Sequence, residues 1–207
     1  MKMKEIVIPG EEIPSCRQER GNACFEENGK SYATIISLAG DDRIIPLKGK
    51  YVPVRGDYVL GIVKTLLITG YLLDLNSPYL ARLSDRDCRE EYKEGDVVAV
   101  KLFTVNEVND ASADDPQGFS GGELIEIDPV KVPRVIGRNG SMLATIKEYT
   151  KTQIFVGKNG RIYVQEGNTK LAVRAILKIC NESHVSGLTE RINTFLEKES
   201  KGVSNDE

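Results

Sequence analysis

Gly137-Arg138-Asn139-Gly140 and Gly157-Lys158-Asn159-Gly160 are two copies of one tetrapeptide, Gly-x-Asn-Gly, set twenty positions apart. The chemistry such a tetrad offers is anion binding. Glycine removes the Cβ that keeps a phosphate from the backbone, and amide N–H groups with an adjacent cation then complete a cradle. The flanks separate the copies. Gly137 to Gly140 follows the apolar pair Val135-Ile136 and precedes a helical pattern, so its amides fall at a helix N-terminus, where unpaired N–H groups and the dipole favour negative charge. Arg138 adds charge, and Arg134 and Lys147 lie within a turn or two. Gly157 to Gly160 joins two β runs, QIFV and RIYV, and Asn-Gly between strands is a hairpin signal because both residues tolerate positive φ. The first copy is therefore the ligand candidate and the second a structural turn.

The charge balance supports a polyanion partner for that region. The chain carries 28 Lys and Arg against 31 Asp and Glu, a net charge of -3. Between Pro129 and Cys180, however, ten basic residues stand against only Glu148 and Glu166. An excess of this kind within an acidic protein suggests a polyanion-binding module; a solvated basic helix face is the plainer alternative. The sequence offers little for catalysis. His184 is the only histidine, beside a helix end, and the four cysteines Cys16, Cys24, Cys88 and Cys180 form no Cys-x-x-Cys pair, so free thiols are expected rather than metal ligands. The acidic run with Asp110, Asp114 and Asp115 lacks the alternating oxygens and central glycine of a calcium loop and reads as a solvated, mobile loop. Neither cofactor nor metal is expected. With no apolar run of membrane length and no signal-peptide core, the protein is expected in the cytoplasm, away from membranes.

The elements that must position these residues fall into three segments. Residues 1–53 hold short β-like runs broken by turn residues and predict a small β domain, too thin to hold a core alone and expected to pack on a neighbour. Residues 54–119 predict five short strands with glycines at the bends, which suits an OB-type barrel. Residues 120–207 predict strand, helix, Gly-x-x-Gly, helix, strand, strand, helix, the order of a type I KH domain, then an amphipathic helix around Leu188 to Leu196 and an acidic tail. Met142, Leu143, Ile146 and Tyr149 share one predicted helical face; Leu171, Ala172, Ala175, Ile176 and Ile179 form another apolar stripe. The expected class is multidomain α+β.

Gly61, Gly70, Arg82, Ser84 and Gly95-Asp96 fall where the S-one-type RNA-binding OB domain has its recurrent residues. The longer strings PLKGKYVPVRGD, TGYLLDLNSPY, EIDPVKVPRVIGRNGSM and HVSGLTERI together resemble the RNA-binding cap subunit of the archaeal RNA exosome. The resemblance implies a non-catalytic subunit, three copies of which sit on a six-membered ring of RNase-PH-like proteins. There it would capture single-stranded RNA and pass the 3′ end to the ring for degradation or tailing. It also implies that the amino-terminal domain docks on the ring, with Ile6, Ile8 and Ile13 as apolar candidates. The positions matching the stacking aromatics and the RNA-contacting histidine of such OB domains hold Thr69, Leu72 and Arg82. The barrel's RNA candidates are then Lys64, Tyr71, Tyr79, Arg82 and Lys101, with barrel packing the alternative for both tyrosines. For the KH part they are Gly137, Arg138, Asn139, Gly140, Arg134, Lys147 and Lys151, over a groove floored by Val135, Ile136, Ile146 and Ile154. Asn139 keeps a second reading open, in which the loop packs against the barrel. A free-standing factor of the NusA type, also an OB domain joined to KH, is the competing function. Polynucleotide phosphorylase carries the two modules in reverse order after catalytic domains for which this chain has no room.

Overall fold

Short β-branched runs punctuated by Pro-Gly and Asn-Gly give six short strands at the amino-terminal end of the computed structural model, which describes residues 5–13, 24–39, 44–47, 49–106, 110–183 and 187–202. Strands β1 (Glu5–Val7), β5 (Ser37–Ala39) and β6 (Ile44–Pro46) form one antiparallel sheet in the order β1-β5-β6. A second, in the order β2-β4-β3, contains β2 (Glu12–Ile13), β3 (Cys24–Glu27) and β4 (Lys30–Ala33). Asn28 and Gly29 both have positive φ and close the β3–β4 hairpin as Asn-Gly turns do. Among the described residues the buried core here is Val7, Ile13 and Ala33, with Cys24 packed on them. Cys24 is disulfide-bonded, which corrects the expectation of free thiols; Cys88 and Cys180 are free. A crosslink is the usual supplement where so little apolar surface is buried. Cys16, His184 and the acidic tail lie outside the described residues.

The central segment closes into a barrel of five strands, β7 (Tyr58–Leu67), β8 (Gly70–Asp74), β9 (Leu80–Ser84), β10 (Val97–Val105) and β11 (Asp110–Phe119), in the order β10-β11-β9-β8-β7 with β7 returning to β10. Only β9 and β11 run parallel, the OB arrangement. Val59, Val63, Leu73, Leu83, Val98, Val100 and Leu102 fill the interior. Asp110 to Phe119 corrects the expected acidic loop. Ala111 and Ala113 point inward while Asp110 and Ser112 lie on the other face, and this period-two pattern of small residues closes the barrel. Composition hid the strand because its inward residues are alanines.

The last segment begins with β12 (Glu123–Glu126) and continues through α1 (Val132–Ile136), α2 (Ser141–Thr150), β13 (Gln153–Val156), β14 (Arg161–Gln165) and α3 (Thr169–Asn181) to α4 (Leu188–Gly202). The antiparallel sheet β12-β14-β13 carries the helices on one face, the type I KH topology. The predicted stripe Leu171, Ala172, Ala175, Ile176 and Ile179 is buried. Met142 and Ile146 are buried on α2 as expected, while Leu143 and Tyr149 are partly so. Asn168 caps α3 by accepting the Leu171 N–H. Among the described residues no helix is long and apolar enough to cross a membrane.

Candidate nucleic-acid interface

The first tetrad links two helices. Gly137 follows α1 at φ 75°, a 3-10 turn spans Arg138 to Gly140, and α2 starts at Ser141 with no side chain capping it. A Cβ on Gly137 would stand 2.6 Å from that of Met142, so the close approach of the two helices requires glycine. Asn139 sits at φ 52°, ψ 30°, the left-handed region that asparagine tolerates better than most side chains. Its side chain is exposed, as is that of Arg138. The residue that suggested an interdomain joint is there for its backbone.

Arg134, Arg138, Lys147 and Lys151 are all exposed, and among the described residues none of them is ion-paired. Lys131 and Lys170 likewise make no ion pair among the described residues, but four other basic residues of this region differ. Arg161 is buried and bonded to Asp74 and Glu126, Lys158 pairs with Asp57, Arg174 makes a bidentate pair with Glu199, and Lys178 pairs with Glu182. Of the unpaired cations, Arg134 and Arg138 lie at the α1–α2 loop, while Lys147 lies in the last turn of α2 and Lys151 at its C-terminal end. Val135, Ile146 and Ile154 do not floor a groove: all three are buried in the KH core, whereas Ile136, Leu143 and Tyr149 of the two helices are partly buried.

The second tetrad is the joint. Asn159 is 0% exposed; its side-chain N–H groups donate to the carbonyls of Leu60 (2.8 Å) and Leu75 (2.9 Å), and its oxygen accepts the Leu60 N–H (3.3 Å). Beside it Arg161, the first residue of β14, donates to the Asp74 carbonyl at 2.6 Å and pairs with the Asp74 carboxylate, while its Nε reaches Glu126 at 2.9 Å. The Lys158 N–H donates to the Tyr58 carbonyl at 3.0 Å. Leu60 and Ala99 on the barrel pack against Tyr163, with Phe119 set 4.7 Å from the Tyr163 ring. Gly157 admits the Leu60 backbone where a Cβ would stand 2.8 Å from its nitrogen. The turn expected between β13 and β14 is present, yet its side chains lock the KH sheet to β7 and β8. Its one sequence signal was the charged start of β14, where Arg161 and Tyr163 alternate with Ile162 and Val164, and all four are buried.

The barrel candidates do not converge. Tyr71, expected as a stacking surface, is 9% exposed: on β8 it shares the inward face with Leu73, its hydroxyl accepts the Tyr92 N–H at 3.2 Å, and its ring meets Tyr92 edge-on. Tyr79 is half-buried with its N–H on the Ser77 hydroxyl. Lys64 is exposed at a bulge in β7. Arg82 and Lys101 lie on strands separated by β11, whose Asp110 and Asp114 stand beside them: Arg82 is 3.7 Å from Asp110, and Asp114 is the cross-strand partner of Lys101. Exposed rings occur instead on β7 and β10. Lys101 lies 5.6 Å from the centre of the Tyr58 ring and Arg55 5.5 Å from that of Phe103, rings about half exposed. Sequence reasoning passed over both because strand register alone decides which aromatics face out. No group of three or more potential metal ligands occurs among the described residues.

An OB-type barrel fused to a KH module, with unpaired cations around the KH helix-entry loop, defines a protein of the nucleic-acid-binding class. The KH domain family model matches residues 122–170. The exosome complex component Rrp4 of Pyrococcus horikoshii is 36% identical over 230 aligned positions, covering 97% of this chain and 87% of that protein. The Rrp4 of Methanothermus fervidus is 34% identical, covering 95% and 96%. A crystal structure assigned to an exosome complex RNA-binding protein is 35% identical and covers 76% of this chain and all of its own, with a TM-score of 0.68. The chain belongs to the family of the exosome complex component Rrp4.

Proposed function

We propose that this protein is a non-catalytic, cytoplasmic RNA-binding subunit of an exosome. Three copies cap a six-membered ring of RNase-PH-like subunits, hold single-stranded RNA and direct its 3′ end into the central channel for 3′-to-5′ degradation or tailing. The observation that carries the reading is the set of exposed, unpaired cations Arg134 and Arg138 at the loop Gly137 to Gly140 and Lys147 and Lys151 at the other end of α2, on a KH body locked to the barrel by Asn159 and Arg161. Phosphates lie against the amides and cations of that loop. Residues 120–207 thus supply the principal RNA contact. Residues 54–119 supply a second, at Tyr58 and Phe103 with Arg55 and Lys101, where bases stack on exposed rings flanked by cations. Residues 1–53 dock on the ring, and Ile6 and Ile8, both more than half exposed, are the available apolar contacts there, since Ile13 is buried.

Two measurements on purified components test this. A fluorescently labelled single-stranded RNA shows saturable, salt-sensitive binding to the chain alone, with no release of nucleoside diphosphates when phosphate is added. Sedimentation with RNase-PH-like ring subunits gives a complex of three chains per ring. Diphosphate release by the chain alone, or association with RNA polymerase in place of the ring, would overturn the reading.

A further inference from the structure

The hairpin of β7 and β8 ends at an edge of the barrel where β7 has lost its β10 neighbour, although β8 stays paired with β9 as far as Gly70. Strand β10 pairs with β7 only over Tyr58 to Ile62, whereas β8 follows β7 out to Leu67 beyond the bulge at Lys64. At its tip stand three consecutive apolar residues, Leu66, Leu67 and Ile68, which are 50%, 42% and 102% exposed. Hairpin turns are ordinarily built from Gly, Asn, Asp or Ser, and a run of exposed apolar side chains costs solubility unless something covers it. Tip and barrel are joined firmly: Gly70, at φ 144°, lies so close to the Leu83 carbonyl that a Cβ would meet it at 2.1 Å, and the Asp85 N–H donates to the Thr69 carbonyl. The tip is thus held rigidly at the edge of the barrel, with its apolar side chains exposed.

Charge narrows what covers it. The cleft beneath the tip is lined by Leu66, Leu67 and Ile68 on one side and by Asp85, Cys88, Arg89, Glu90 and Glu91 on the other. Three carboxylates against one guanidinium disfavour RNA and anionic lipid. They also disfavour a second copy of this chain related by a two-fold axis, which would bring the same carboxylates face to face. We propose that the tip is a docking knob for a protein partner that presents an apolar socket bordered by Lys or Arg side chains. Resting on the exosome reading, the partner is a ring subunit, so that the barrel anchors the chain at a second point beside the amino-terminal segment.

The test compares the whole chain with Ile68→Asp and, separately, with Glu90→Lys plus Glu91→Lys, by titration calorimetry against purified ring. Ile68 is fully exposed, so its substitution leaves the melting temperature and the affinity of the isolated chain for labelled RNA unchanged. The expected result is a loss of ring affinity of tenfold or more for Ile68→Asp and a smaller loss, steepest at low salt, for the charge-reversed rim; Ile68→Val retains binding. Ring affinity equal to the parent's in both variants overturns the docking knob while the exosome reading stands. Failure of the unsubstituted chain to bind the ring overturns both, and self-association abolished by Ile68→Asp would assign the tip to a second copy and overturn the choice of partner.

Discussion

Replacing Asn159 by alanine should separate the two tetrads by stability. The Asn159 carboxamide serves three backbone groups of the barrel across the joint, the Leu60 N–H and the carbonyls of Leu60 and Leu75, at a position closed to water. Water cannot replace the amide there, so each group loses its partner, apart from a 3.5 Å contact from Arg161 to the Leu60 carbonyl. At about 1 kcal/mol for each lost hydrogen bond the variant loses roughly 3 kcal/mol. For a chain of this length that corresponds to a fall in melting temperature of about 6–12 °C. Asn139→Ala removes no interdomain hydrogen bond and costs only the left-handed backbone preference, about 1 kcal/mol. Circular dichroism melts of both variants, with amide exchange followed at Leu60 and along β14, measure the difference. The exchange protection of Leu60 should fall in Asn159→Ala alone. Were Asn159→Ala to melt within 1 °C of the parent, or Asn139→Ala to prove the more damaging, the joint would be misplaced.

Arg138→Glu with Lys147→Glu should weaken single-strand RNA binding and flatten the slope of log affinity against log salt by about 1.4, the contribution of two phosphate contacts, as read by anisotropy across a salt series. Tyr58→Ala and Phe103→Ala should each weaken RNA binding about tenfold through lost stacking. Tyr71→Phe should leave RNA affinity alone and destabilise by about 1 kcal/mol, since it removes the acceptor of a buried N–H. Burial raises the thiol pKa of Cys88, with Asp87 and Asp85 adding to it, and burial likewise raises that of Cys180. A raised thiol pKa keeps the unreactive protonated form to higher pH, so the alkylation profile of half-buried Cys88 should lie above that of free cysteine. Cys180, in the KH core, should react only on unfolding; reaction of either thiol at the free-cysteine rate near pH 8 would contradict this.

The repeated letters of the two tetrads show what sequence conveys about such a site. Flanking patterns placed Gly137 to Gly140 at a helix entry and Gly157 to Gly160 between strands, because helical and strand periodicities are local. The apolar stripe of α3 was legible for the same reason. What Asn159 and Arg161 touch was not legible, since their partners Leu60, Asp74 and Leu75 lie some ninety residues away and are mostly backbone groups. Charge counting overstated the RNA surface, because Arg161, Lys158, Arg174 and Lys178 are neutralised by carboxylates that only the fold brings close. Strand β11 was hidden by its own composition. Tyr71 and Tyr58 exchange roles for one reason: which tyrosine faces water is set by strand register, a tertiary property.

On the proposed function the chain carries RNA to a catalytic ring through its KH cations and does no chemistry itself. The most direct measurement is the rate of phosphate-dependent RNA degradation by the purified ring at limiting RNA, alone, with this chain, and with its Arg138→Glu, Lys147→Glu form. Addition of the chain should raise the rate by lowering the RNA concentration needed, and the substituted form should join the ring yet give no such gain. Degradation by the chain without the ring, or an equal gain from the substituted form, would contradict it.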